Sequence, residues 1–210
     1  MKSKAILILF LALSILGFSR WLLEAQDGAD QKAVKKTQFP LEVSFINHAV
    51  TLPFDGIVLN PIHPGFSLGS EFAWKESRLG RLFQNFHAGY YFNEFNAKGL
   101  FLQTGIGLRH TFRFNLFAEI QAGLGYLHSF HPRQIFRMGD NGAWVKARDG
   151  GKPSAIMSVA FGIGYDFARI LGRPVSLFLR FQPFLQTPYS TENSVLPQSF
   201  MHFGIRFKLW

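Results

Sequence analysis

The chain has 210 residues, 48% of them hydrophobic and 16% aromatic, with 25 Phe, 20 Gly and only 17% charged. It has no cysteine, which excludes disulfides, thiolate metal sites, a cysteine nucleophile and a lipidated N-terminal cysteine. A formal charge of +9 suits an anionic partner.

Residues 1–25 read as an export signal. Lys2 and Lys4 precede a mostly apolar stretch from Ala5 to Phe18, and Arg20 interrupts it. That stretch is shorter than the ~20 residues a membrane-spanning helix needs. LEAQ at 23–26 places cleavage after Ala25; an uncleaved anchor is the competing reading. Cleavage leaves 19 positive and 12 negative side chains, a charge of +7. For an exported chain we expect no nucleic acid partner. Anionic lipid or lipopolysaccharide phosphate is the expected counterpart, set against a basic surface with no dedicated partner. Residues 26–38 are polar and aperiodic and are expected to form a flexible periplasmic leader.

From Phe39 to Trp210 the pattern has period two, the signature of strands with two unlike faces. In chain order the runs are 41–50, 65–74, 82–92, 100–109, 116–126, 158–167, 175–186 and 200–210. In the run 158–167, Val159, Phe161, Ile163, Tyr165 and Phe167 share one side. Ser158, Ala160, Gly162, Gly164 and Asp166 share the other. The eight runs predict an antiparallel up-and-down barrel. Connections two, four and six (75–80, 110–115, 170–174) read as short, and one, three, five and seven (51–63, 93–99, 130–154, 187–199) as longer. Transmembrane barrels show this asymmetry; soluble up-and-down barrels need not.

The faces decide which medium lies outside. One face is nearly all Leu, Ile, Val, Phe, Tyr, Met and Ala. The other carries small and polar groups, with Glu42, Glu71, Lys75, Arg109, Glu119, Asp166, Arg180, Arg206 and Lys208. An eight-stranded barrel has an interior just wide enough for side chains to fill. Those nine groups are expected to pair inside a filled lumen, because unpaired burial is costly. The apolar face then meets lipid, with every backbone group satisfied by the closed ladder.

The run HFGIRFKL fits the barrel-assembly signal of outer-membrane proteins: polar His202, then Gly204, aromatic Phe207 and hydrophobic Leu209. Trp210 stands one place past the usual end of that signal. With this ending, eight strands and unequal connections, residues 39–210 resemble the small Gram-negative outer-membrane barrels. That class holds OmpA-type and OmpX-type proteins and enzymes that edit lipid A. The resemblance implies residence in the outer membrane, insertion by the barrel-assembly machinery and a filled lumen. It transfers no function.

Deacylases of this class use a His-x-Ser pair, and no histidine here is followed two places later by serine. The nearest approach is His128, Ser129 and His131, but residues 128 and 129 of a strand point to opposite faces. No metal and no cofactor are expected. The glycines at 105, 107, 123, 125, 162 and 164 sit inside strands and are not phosphate loops. The long fifth connection carries Arg133, Arg137, Trp144, Lys146, Arg148 and Lys152, candidates to contact anions or a partner. Three functions follow as expectations. The first is a structural or interaction protein, an accessory subunit of a larger outer-membrane complex or a lipopolysaccharide-contacting protein. The second is a lipid A-modifying hydrolase or acyltransferase, and the third a narrow channel.

Overall fold

The computed structural model describes residues 40–50, 61–77, 80–138, 142–189 and 194–208. The expected signal 1–25 and leader 26–38, together with Leu209 and Trp210, lie outside the described residues. The strands are β1 (Pro40–Ala49), β2 (Pro64–Ser77), β3 (Gly80–Phe92), β4 (Lys98–Thr111), β5 (Leu116–Phe130), β6 (Ile135–Met138), β7 (Trp144–Ala147), β8 (Lys152–Asp166), β9 (Val175–Thr187) and β10 (Leu196–Lys208). One helical turn, α1 (Ala168–Leu171), precedes β9. Eight strands form a closed barrel in the order β1-β10-β9-β8-β5-β4-β3-β2, and β6 and β7 form a hairpin of their own. Closure is antiparallel, from Pro40 opposite Lys208 to Ala49 opposite Ser199. A closed barrel leaves no strand edge unpaired.

β1 begins and β10 finishes at the same end, here called the terminal end; the opposite end is the loop end. Terminal-end connections are 78–79, 112–115 and 167–174. Loop-end connections are 50–63, 93–97, 131–151 and 188–195. The third is shorter than expected, because Asn93 folds it tightly: its Oδ1 accepts the backbone N–H groups of Phe95 and Asn96. At the terminal end, Asn115 takes the left-handed conformation at φ 64°, which Asn tolerates better than most residues. β5 and β8 run further toward the loop end than the sequence suggests, to Phe130 and from Lys152, because their alternation continues through Leu127, His128 and Ser129.

Alternation sets the two surfaces. Phe45, Phe66, Leu102, Ile106, Phe161 and Leu179 stand exposed on the outer wall, Phe161 at 53% and Leu179 at 43%. Along β4 every second residue from Gly99 to Arg109 is covered or nearly so, and its neighbours face out. One irregularity departs from this pattern. In β2, Ala73 pairs with inward Phe83, but Lys75 pairs with outward Leu82, so the register shifts at Trp74. Such a bulge reverses which face the following residue occupies. Lys75, expected in the lumen, is therefore turned out and exposed.

No described helix is long and apolar enough to cross a membrane. We predict that Phe161→Arg destabilises the barrel in lipid by ~2–4 kcal/mol, the cost of arginine on a lipid-facing wall. Urea unfolding in vesicles measures it. A neutral effect would mean that this wall faces water.

Candidate functional site

The lumen is filled in layers, and the lowest complete layer is ionic. Glu42 from β1, Glu71 from β2 and Glu119 from β5 meet Arg109 from β4, Arg180 from β9 and Arg206 from β10. Three negative charges face three positive ones. Register makes two of these pairs directly: Glu42 stands opposite Arg206, and Arg109 opposite Glu119. The third arginine bridges across the barrel. Arg180 donates from Nη1 to Glu42 at 2.7 Å, and from Nη2 and Nε to Glu119 at 2.8 and 3.0 Å. Arg109 grips Glu71 with both terminal nitrogens, at 2.8 and 2.6 Å, while its Nε donates to Glu119 at 2.9 Å. Arg206 Nη2 donates to Glu42 at 2.8 Å. Such forked bonds to carboxylates are the strong, geometrically specific kind.

Aromatic rings support this layer. The Arg109 guanidinium lies 4.5 Å from the Phe83 ring centre, and that of Arg180 lies 4.6 Å from Phe178. Phe117 lies under both Arg109 and Arg206, at 5.2 and 5.6 Å. A planar cation over a ring face is attracted to it. The rings have room because the wall beside them lacks side chains. The tips of Phe83, Phe117 and Phe178 occupy the space where a Cβ would stand at Gly107, Gly164 and Gly204.

Toward the loop end the groups become neutral. His202 bonds Ser44 through Nδ1 at 3.1 Å and Gln182 through Nε2 at 3.0 Å. Gln182 donates to Gln103 at 3.0 Å, and Asn85 to Gln121 at 2.5 Å. His87 sits 3.7 Å from Glu42. Above this belt the lumen is apolar. Ile46, Tyr91, Phe101, Leu127, Ile156, Phe184 and Phe200 pack together and are almost wholly buried. His48 roofs that plug, stacked 4.2 Å from Tyr91 and bonded to Gln198 at 2.7 Å and Asn93 at 3.1 Å.

Of the nine groups assigned to the lumen from the sequence, six meet in the ionic layer. Lys75 faces outward for the reason given above. Asp166 and Lys208 lie lower, lining an open cavity of about 440 Å³ at the terminal mouth together with Arg81, Arg109 and Arg206. Asp166 Oδ1 accepts the backbone N–H of Ala168 in a turn that leads into α1. Sequence reasoning missed Arg81, which reaches Glu71 at 3.5 Å and Glu76 at 3.6 Å. Its parity matches inward Phe83 and Asn85, so extending the third run by one residue would have found it. The run also hid a second role for His202, read there only as part of an assembly signal. In that signal, His202 and Gly204 face the lumen, Phe207 lies on the outer side, and Leu209 is outside the described residues.

At the loop end, Arg133, Arg137, Trp144, Lys146, Arg148 and Lys152 are all exposed. The β6–β7 hairpin sorts them. Phe136 stands opposite Lys146, and Met138 opposite Trp144, so these four share one face. Arg137 is on the other, opposite Val145. The hairpin base is clasped by Asp149, which accepts the backbone N–H of His131 at 2.6 Å and of Gly151 at 2.9 Å. What little burial it has works to raise its pKa. Those two donors and the nearby His131 and Lys98 outweigh it and hold the carboxyl below its ordinary value. His128 and Ser129 are not brought together. His128 Nδ1 meets the Tyr126 hydroxyl at 2.7 Å, whereas the Ser129 hydroxyl donates to the Lys152 carbonyl at 3.3 Å. No set of three metal-binding side chains gathers among the described residues.

Eight closed strands, apolar outside and ionic within, invert the arrangement of a water-soluble barrel. The fold is a closed eight-stranded antiparallel up-and-down barrel of the transmembrane type. No family model and no curated protein matches the chain. Similar solved structures include Neisserial surface protein A, at 13% identity and TM-score 0.49, covering 81% of this chain and 97% of that one. The outer membrane enzyme PagL is similar at 13% identity and TM-score 0.46, covering 79% of this chain and 97% of that one. Ail of Yersinia pestis, in complex with the heparin analogue sucrose octasulfate, is similar at 11% identity and TM-score 0.42, covering 82% and 98%.

The ionic layer predicts its own sensitivity. Arg180→Ala strands Glu42 and Glu119 without their bridge and should cost about 3–5 kcal/mol. Denaturant titration in detergent or lipid checks this. A change below about 1 kcal/mol would mean that Arg180 is dispensable to the cluster.

Proposed function

We propose that the chain is a sealed outer-membrane barrel that acts through its loop end as a structural or interaction protein, with lipopolysaccharide as the contact. The loop end then faces outward, the terminal end faces the periplasm, and the His202–Leu209 run serves insertion by the barrel-assembly machinery. The observation that carries this reading is the filling of the lumen. An ionic layer, an amide and histidine belt and an apolar plug follow one another along the axis. Among the described residues the apolar plug interrupts the polar groups along the axis, which speaks against a narrow channel. A lipid A hydrolase of the His-x-Ser kind finds no assembled dyad at His128.

That leaves the surface presented outside. The fifth connection has five cations and two acids between His131 and Lys152. On one hairpin face, Trp144 is 69% and Phe136 56% exposed, beside Lys146. Rings next to cations suit a headgroup layer of sugar phosphates over acyl chains. The barrel's own outer wall supplies the lipid belt from which the hairpin rises.

Replacing Trp144 and Lys146 with Ala together should weaken lipopolysaccharide binding on the order of tenfold, with the fold intact. Fluorescence titration of the refolded barrel in detergent measures it. Unchanged affinity would remove lipopolysaccharide as the target. A protein that co-purifies through the hairpin would replace it. Discrete conductance of the parent protein in planar bilayers would overturn the sealed lumen.

A further inference from the structure

The terminal rim carries a feature that neither the lumen nor the hairpin explains. Two connections there, and the foot of β2 beside a third, pair exposed apolar side chains with exposed cations. At the foot of β2 these are Trp74 and Lys75; between β4 and β5 they are Phe112, Arg113 and Phe114. Between β8 and β9 they are Arg169, Ile170, Leu171 and Arg173. At the β10–β1 seam Lys208 is exposed but lines the terminal cavity, so it stands apart from these three places. In the barrel's strand order the three are two strands apart and span most of the rim.

The sign is one-sided. Four exposed cations, Lys75, Arg113, Arg169 and Arg173, stand against exposed Glu76, which lies 3.6 Å from Arg81. Asp166 is partly covered and bonded to the backbone N–H of Ala168. The apolar groups are large: Phe114 is 62% exposed and Ile170 66%. They are also ordered locally. Phe112 and Phe114 stack at 5.5 Å, with the edge of His110 against Phe112 at 4.9 Å. Gly172 closes α1 in the left-handed conformation at φ 63°, between exposed Leu171 and Arg173. The bulge at Trp74 belongs to the same pattern, since without it Lys75 would point into the lumen.

A protein docking on the barrel would meet a patch on one side or over the mouth. The same mixture repeated at three places around most of the rim matches a plane instead. We propose that this rim is a collar for the phosphates of anionic phospholipids in the leaflet at the terminal end. The inference rests on the outer-membrane reading above. The rings and aliphatic groups lie at the boundary of the acyl chains, and the cations reach phosphate from there. Each cation near an anionic surface contributes on the order of a severalfold preference for charged lipid. The collar thus selects lipid charge as well as fixing the depth of the barrel.

Trp74 is a built-in reporter, because the chain has four tryptophans and three can be removed. The full chain with Trp21, Trp144 and Trp210 changed to Phe is refolded into phosphatidylcholine vesicles. These contain a minor fraction of either brominated phosphatidylcholine or brominated phosphatidylglycerol. At equal mole fraction, the anionic quencher should be enriched about twofold or more beside Trp74, and high salt should erase the excess. Arg113→Gln, Arg169→Gln and Arg173→Gln together should remove the excess and leave quenching by the zwitterionic lipid intact. Lys75→Gln alone, a milder change, should lower it in the same direction. Equal quenching by both lipids in the parent protein overturns the collar. Quenching by neither, in a barrel shown to be folded by its gel mobility, overturns the membrane reading itself.

Discussion

The barrel depends on charge neutrality among six side chains that are almost wholly buried. Three carboxylates and three guanidiniums share one layer, and each bridges at least two strands. Removing ions from water is expensive, and their mutual attraction offsets that cost only when the geometry is good and the remaining donors are satisfied. The forked bonds of Arg109 and Arg180 meet that condition. They also tie β9 to β1 and β5 across the lumen, which the backbone ladder alone does not do.

Room for the cluster comes from what the wall lacks. Inward glycines on β4, β8 and β10 let Phe83, Phe117 and Phe178 lie against the backbone, and the arginines lie over the rings. Farther along the axis the demand reverses, and large apolar side chains fill the same width. The interior therefore changes from ionic to amide to hydrocarbon, and then to a second polar layer of His48, Asn93, Gln186 and Gln198 at the loop end.

The two ends differ in construction. At the loop end a single hairpin projects aromatic and cationic groups from one place on the circumference. At the terminal end short connections repeat a similar mixture around the ring. A projecting element suits recognition of a particular molecule, and a ring suits a surface. Both rest on the same principle, that amphipathic side chains settle where an apolar medium meets phosphate.

Period-two alternation was enough to find all eight barrel strands, because the side-chain direction of a strand depends only on its own backbone. It also placed Glu42, Glu71, Arg109, Glu119, Arg180 and Arg206 on one face. The pairing of Arg109 with Glu119 was within reach too, since both flank a short turn. The bridge from Arg180 to Glu42 was not, because those residues meet only after the barrel closes between β1 and β10. Nor was the outward turn of Lys75, which follows from a one-residue slip against β3 that alternation cannot register. The apolar plug was only half legible. Phe101, Phe184 and Phe200 share parity with inward Gln103, Gln182 and His202, but that they meet in one cluster needed the closed sheet. Sequence determined which atoms could line the barrel. Tertiary closure decided which of them touch.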